Sequence, residues 1–346
     1  SEIYTDGSQR FADTVRGDCT GEAAWLYYLS GIYLQDERYS KISSHLFAST
    51  ISDFVIMEGK HKGFVRWSNA ALESNYGDDV ARMLMPLILK NLLGDGDAED
   101  VKVIEAVCDF HIKTSGKDGI RRSRFELAEL SDEEIRIANQ EVLSCPSAHY
   151  NAYLHATYLL AYKLTKKEDY LKFGLMGIDS LMDLYPNTQR EQSQTQEEAR
   201  LILPLAIALW ASKDQKYKKY LEEVYFDLLK RKHESGAFLE WDEGYKAVMR
   251  HTKGDGECSL LSENGDSVAD LLYTNNWLGM GFIFAYIASD DEKYLKEAES
   301  IINFFVESQM ISKDKQINGV WARAFDPDLK EYFGSPADKG GGPYCI

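Results

Sequence analysis

Two acidic doublets stand at matching places in the chain. Asp78-Asp79 leads into Ala81-Arg82-Met83-Leu84-Met85-Pro86-Leu87, and Glu197-Glu198 leads into Ala199-Arg200-Leu201-Ile202-Leu203-Pro204-Leu205. This A-R-x-x-x-P-L match drops Asp79 onto Glu197. Two carboxyls on separate elements can divide the labour of acid–base chemistry, one protonating a leaving oxygen while the other activates water or attacks. Neighbours on a helix point about 100° apart, so neither doublet supplies both members alone. The expected partner of Asp79 is Glu197, with Asp18, Glu73, Glu198, Asp270 and Asp338 behind it and Asp78 orienting Asp79. The plainer reading is that acids in a first turn cap free amides and complement the helix dipole.

The elements that would hold these acids come from internal repeats. Residues 35–51, 166–182, 213–229 and 290–306 each read as an acidic turn, a Tyr, a Lys or Ser-Lys, then apolar residues at three- and four-residue spacing; residues 97–112 are a weaker copy. These are amphipathic helices with a solvated face. Before each lies a more apolar stretch, at 21–34, 78–93, 148–164, 197–210 and 276–288. A helix apolar nearly all round is expected to be enclosed by others, with Trp25 and Trp210 in the core. The alternation predicts antiparallel helix hairpins with short turns such as Gly94-Asp95-Gly96.

Longer segments lead into the apolar helices, and four carry a Gly followed by aromatics alternating with charges: 63–67, 119–125, 236–241 and 319–325. Their period of two predicts short β pieces in the loops. Stepping back from the Tyr of each outer helix by the distance from Tyr217 to Glu197 lands on Asp18/Cys19, His149/Tyr150 and Thr274/Asn275, joining Asp78/Asp79. Every such slot is polar although the helix behind it is apolar, as a ligand site at the helix starts requires.

Composition narrows the partners. The chain has 346 residues, 44% hydrophobic and 27% charged, with a formal net charge of −17. That excludes wholesale disorder, and it makes nucleic acid and anionic membranes poor partners. The longest apolar run, 201–211, is too short for the roughly 20 residues of a membrane helix. Five widely spaced Cys without a CxxC signal neither a disulfide framework nor a zinc site, so reduced thiols in a cytoplasmic protein are expected, with no metal and no cofactor. Glu257-Cys258 lacks ligand spacing with His251.

Alternating inner and outer helices with aromatic-rich loops before the inner ones resemble the six-hairpin, α/α-toroid glycosidase superfamily, which includes inverting glycosidases and sugar 2-epimerases. The resemblance implies an all-α (α/α)6-type toroid in one domain spanning 1–346, with five complete hairpins. The tail 334–346 reads as the loop introducing a sixth inner helix, so a piece of a longer chain, or closure by another segment or subunit, is expected. It also implies a carbohydrate substrate and an inverting glycoside hydrolase, with Asp79, Glu197 and Asp78 as catalytic residues. Asp18, Trp67, His149, Tyr150, Trp241, Trp277, Trp321 and Arg66 are expected to bind substrate, with Arg323 a second candidate for a uronate carboxylate. One alternative is a sugar 2-epimerase using His149 and His251. Another is a non-catalytic carbohydrate-binding domain. His155 is expected to be a hydrogen-bonded core histidine.

Overall fold

The computed structural model describes residues 13–251, 262–313, 315 and 318–333, with the backbone of the short strands Glu2–Ile3, Gln9–Arg10 and Pro343–Tyr344. The helices fall where the repeats place them: α1 Gly17–Leu34, α2 Glu37–Phe54, α3 Gly77–Leu92, α4 Ala98–Lys113, α5 Asp132–Ala138, α6 Ala148–Thr165, α7 Glu168–Met182, α8 Gln194–Ser212, α9 Gln215–Leu229, α10 Asn276–Ser289 and α11 Glu292–Ser308. Only α5 is unforeseen, although Ser131 capping the Glu134 amide is a readable start signal.

Three of the hairpin reversals share one device. α1, α8 and α10 each end on a left-handed, non-glycine residue: Gln35, Lys213 and Asp290. The next residue, Asp36, Asp214 or Asp291, then accepts a hydrogen bond from an amide in the first turn of the outer helix. The acidic turn of the repeat is therefore an N-cap.

By contacts the chain divides into two compact units, one comprising residues 13–146 and 150–185, the other 1–12, 147–149 and 186–346. In the first, α1 packs on α2 and α3. There α7 lies on α6 through small residues, since a Cβ at Gly177 would stand 2.1 Å from the His155 ring. Strand 74–76 pairs antiparallel with 124–126 just ahead of α3. In the second, α8 packs on α9 and α10, and α10 on α11. A three-stranded antiparallel sheet there joins 269–270, 324–326 and 331–333. The β pieces thus lie in the loops that precede inner helices.

Two core assignments need correction. α1 is not enclosed: Leu26, Leu29, Ile32, Tyr33 and Leu34 are exposed, Tyr33 at 87%. Apolar composition does not reveal on how many sides a helix has neighbours. Trp25 and Trp210 are accordingly half-buried rather than core.

Each aromatic loop piece is anchored by its glycine. Gly63, Gly119, Gly236 and Gly319 all have positive φ, between 84° and 95°. At Gly63 a Cβ would stand 1.9 Å from the Ala106 carbonyl oxygen of α4. The chain here needs both a left-handed backbone and close approach to the outer helix, which only glycine allows.

Candidate active site

The expected helix-start slots are occupied by buried polar side chains. Asp18, Asp78, Asp79, His149, Glu197, Thr274 and Asn275 are all at most 8% exposed. In the first unit, Asp79 belongs to a compact charge cluster. Arg16 grips Asp18 with two nitrogens, at 3.0 and 2.7 Å, and its Nη2 also donates to Asp79 at 3.0 Å. Arg82, the repeat arginine one turn beyond Asp79, reaches Asp18 at 2.7 Å and forks onto Glu22 with two 2.7 Å hydrogen bonds.

The two central acids are driven apart in protonation. Burial and the charges of Asp78 and Asp18 hold Asp79 well above the usual carboxylate range, against the pull of Arg16 and Arg82. Asp18 is buried as well, yet Arg82 and Arg16 overcome that penalty and hold it below its ordinary value. Of the two, Asp79 is the one disposed to hold a proton, and a hydrogen bond joins it to Asp18. Such a split is how two like groups become a proton donor and a fixed charge.

Aromatic rings lie against this cluster. Trp67, half-buried, has the Arg16 guanidinium 5.2 Å above its ring and meets Tyr76 edge-on at 5.6 Å. Tyr76 in turn stacks on Tyr150 with centroids 6.3 Å apart. The sequence positions the tryptophan through the backbone: the Gly17 amide that starts α1 donates to the Trp67 carbonyl at 3.1 Å. Arg66 is turned elsewhere, its Nη1 donating to the Asp53 carbonyl at 3.4 Å.

In the second unit Glu197 is 3% exposed and heavily engaged. It accepts from the amides of His149 and Glu191, each at 3.1 Å, and from the Ser147 hydroxyl at 3.2 Å. Burial pushes its carboxyl up to about 7 against the pull of those amides. It thus fixes the start of α6, where His149 accepts a 3.0 Å hydrogen bond at Nδ1 from Gln196. Glu197→Gln presents an NH2 to one of two buried amides. It is expected to cost about 1–3 kcal/mol, read as a lower thermal midpoint.

Beside His149 runs a ladder of rings and cations. Arg200, the repeat counterpart of Arg82, stacks 4.1 Å from the Trp277 ring and 5.8 Å from Tyr273, while Arg323 lies 5.0 Å from the other ring centre, that of Tyr273. Guanidinium already occupies one face of Trp277. Arg323 is fully buried and pairs with Asp270 at 3.4 Å, so it is neither a surface residue nor a free carboxylate receptor. Asp270 itself caps the turn at 271–275. Trp321 donates to the Phe305 carbonyl at 2.7 Å and packs on the Phe304–Phe325 cluster, a structural anchorage. Trp241 is half-buried, with its Nε1 donating to Glu243 at 3.3 Å.

Arg16 and Glu240 were not foreseen. Arg16 lies outside every repeat and leaves no signal. Glu240, next to Trp241, takes a 2.6 Å hydrogen bond from Thr274, and burial with the Asp270 charge pushes it up to about 7. Its place in an aromatic loop piece was the available clue. Glu198 pairs with Arg231, away from any acid–base role. His155 is buried as expected, but its ring nitrogens have no hydrogen-bond partner among the described residues, and burial pushes it down to about 3. The His251 side chain, Glu257, Cys258, Asp338 and the tail 334–346 lie outside the described residues. Among the described residues no cluster of three potential ligands could hold a metal ion, and no helix is long and apolar enough to cross a membrane.

The fold has counterparts among solved structures. The chain has the six-hairpin, α/α-toroid fold. A sugar epimerase from a ruminal bacterium matches with a TM-score of 0.67 at 15% identity, over 98% of this chain and 89% of that one. Cellobiose 2-epimerase from Bacillus thermoamylovorans matches with a TM-score of 0.65 at 14% identity, over 94% and 84%. An α-1,6-mannanase from a Salegentibacter species, an inactive variant with two consecutive Asp replaced by Asn and in complex with α-1,6-mannotriose, matches with a TM-score of 0.51 at 12% identity, over 66% and 68%. No protein-family profile and no curated protein matches the sequence.

Proposed function

We propose that this protein is a glycoside hydrolase acting on an oligosaccharide or glycoconjugate, with Asp79 as the proton-donating catalytic residue. The observation that carries the reading is the buried Asp79 carboxyl, raised well above its ordinary value by burial and by the charges of Asp78 and Asp18, beside an Asp18 held below its own. A glycosidase needs one carboxyl kept protonated near neutrality to donate to the leaving oxygen. Trp67, Tyr76 and Tyr150 beside it offer the apolar faces on which sugar rings stack.

Glu197, whose carboxyl burial pushes up to about 7, is the second carboxyl of this proposal, on the strength of its repeat equivalence to Asp79. If it serves only the His149 amide, Glu197→Gln will lose stability while the folded fraction keeps its kcat. Asp18 is a positioning residue, keeping the proton on Asp79.

A second reading, sugar 2-epimerisation at His149, is favoured by the extent of the likeness, since the epimerase match covers 98% of the chain and the mannanase match 66%. Product analysis separates them. Incubation with α-1,6-mannotriose and with cellobiose, followed by NMR of the anomeric and C2 protons, should show new reducing ends for hydrolysis. A changed C2 configuration at constant reducing ends would replace hydrolysis by epimerisation. Binding of these sugars without either product would leave a carbohydrate-binding domain.

A further inference from the structure

The first unit holds a cation with no counter-charge. Arg121 is 1% exposed. Its Nε donates to the Thr114 hydroxyl at 2.9 Å, and its guanidinium lies 4.3 Å from the Phe125 ring centre. Both terminal nitrogens, Nη1 and Nη2, find no hydrogen-bond acceptor among the described residues. The groups around it are neutral. His111 is buried, receives the Asn75 amide at 3.2 Å on Nε2 and binds the Val107 carbonyl at 2.7 Å through Nδ1, so it carries a single proton. Burial and then the Arg121 charge keep His111 well below its usual range. Tyr158, whose hydroxyl lies beside Ser115, feels the same charge and is raised by burial. No carboxylate appears among the groups acting on Arg121.

An ion transferred from water to such surroundings costs several kcal/mol unless it is paired. Arginine does not escape by losing its proton, since burial brings it down only to about 10. The Phe125 π face offsets only part of this. The four Nη hydrogens remain unused, and at this burial no substrate-sized group can reach them.

We propose that Arg121 binds a small monovalent anion of halide size, with chloride the expected occupant, in the interior between α4 and α6. Nη1 and Nη2 supply the donors, and the anion offsets the buried Arg121 charge. The position is set by the backbone, because the Arg121 amide donates to Asn151 of α6 at 2.9 Å. The proposal is independent of the catalytic reading.

The test is thermal unfolding of the purified chain in sodium gluconate, titrated with sodium chloride at constant ionic strength. A ligand that binds only the folded state raises the midpoint with concentration. A saturable rise of roughly 2–5 °C is expected for the wild type, and none for Arg121→Met. In gluconate alone, Arg121→Met should match or exceed the wild type, because its interior needs no anion. Bromide soaked into wild-type crystals should give an anomalous peak at Nη1 and Nη2, which decides the matter even if the variant does not fold. Equal midpoints in chloride and gluconate, with waters and no bromide at Arg121, would overturn the proposal.

Discussion

Asp79→Asn is expected to lower kcat on a cleavable oligosaccharide by about a hundred- to ten-thousand-fold, the usual contribution of a positioned general acid. KM should change little, because Asn keeps the volume and the hydrogen bond from Arg16. The same substitution has an opposite signature in stability. The folded-state pKa of Asp79 lies above its unfolded value, so the folded chain binds more protons across that interval, and stability falls as pH rises through it. Asn escapes that loss. The thermal midpoint of Asp79→Asn relative to wild type should therefore climb between pH 4 and pH 8. A variant that loses activity and gains alkaline stability together is the mark of an acid kept protonated for use. A constant difference across that range would mean that Asp79 is ionised and structural.

Gly63→Ala should be among the most damaging single-methyl additions in the chain, at about 3–5 kcal/mol. Its φ of +93° strains an L side chain, and its Cβ would meet the Ala106 carbonyl of α4 at 1.9 Å. Neither backbone can yield without moving the piece that carries Trp67. Gly319→Ala is the control. It has a φ of +87° but its nearest neighbour is 3.8 Å away, at the Gln309 side chain. Strain alone, about 1–2 kcal/mol, is expected there. Denaturant unfolding of the two variants measures the difference, and equal losses would show that the approach to α4 is not tight.

The helical repeat was readable because period and caps repeat together. The amphipathic outer helices α2, α4, α9 and α11 carry their own Asp caps, and each apolar helix a polar start. What escaped was anything decided by long-range neighbours. α1 looks as apolar as α3, yet one of its faces is open, because sequence does not say how many helices a helix touches. Arg82 and Arg200 are one residue in the repeat and two in function, the first pairing with acids, the second stacking on Trp277 and Tyr273. Arg16 and Glu240 entered their clusters through loops whose course no periodicity fixes. Loop aromatics serve binding and covering alike, and the bond from Trp321 to the Phe305 carbonyl was not readable from sequence. Asp79 was legible through the repeat, whereas the upward push on its carboxyl comes from burial and from the charges of Asp78 and Asp18, against Arg16 and Arg82.

The hairpin turns have a consequence for how such a chain grows. A left-handed residue that ends one helix and an Asp that begins the next sit side by side at 35–36, 213–214 and 290–291. The whole reversal is written in two adjacent side chains and borrows nothing from distant sequence. A copied stretch of this kind arrives with its own punctuation. Duplication can then lengthen the array one hairpin at a time, leaving the loops between hairpins to diverge into chemistry.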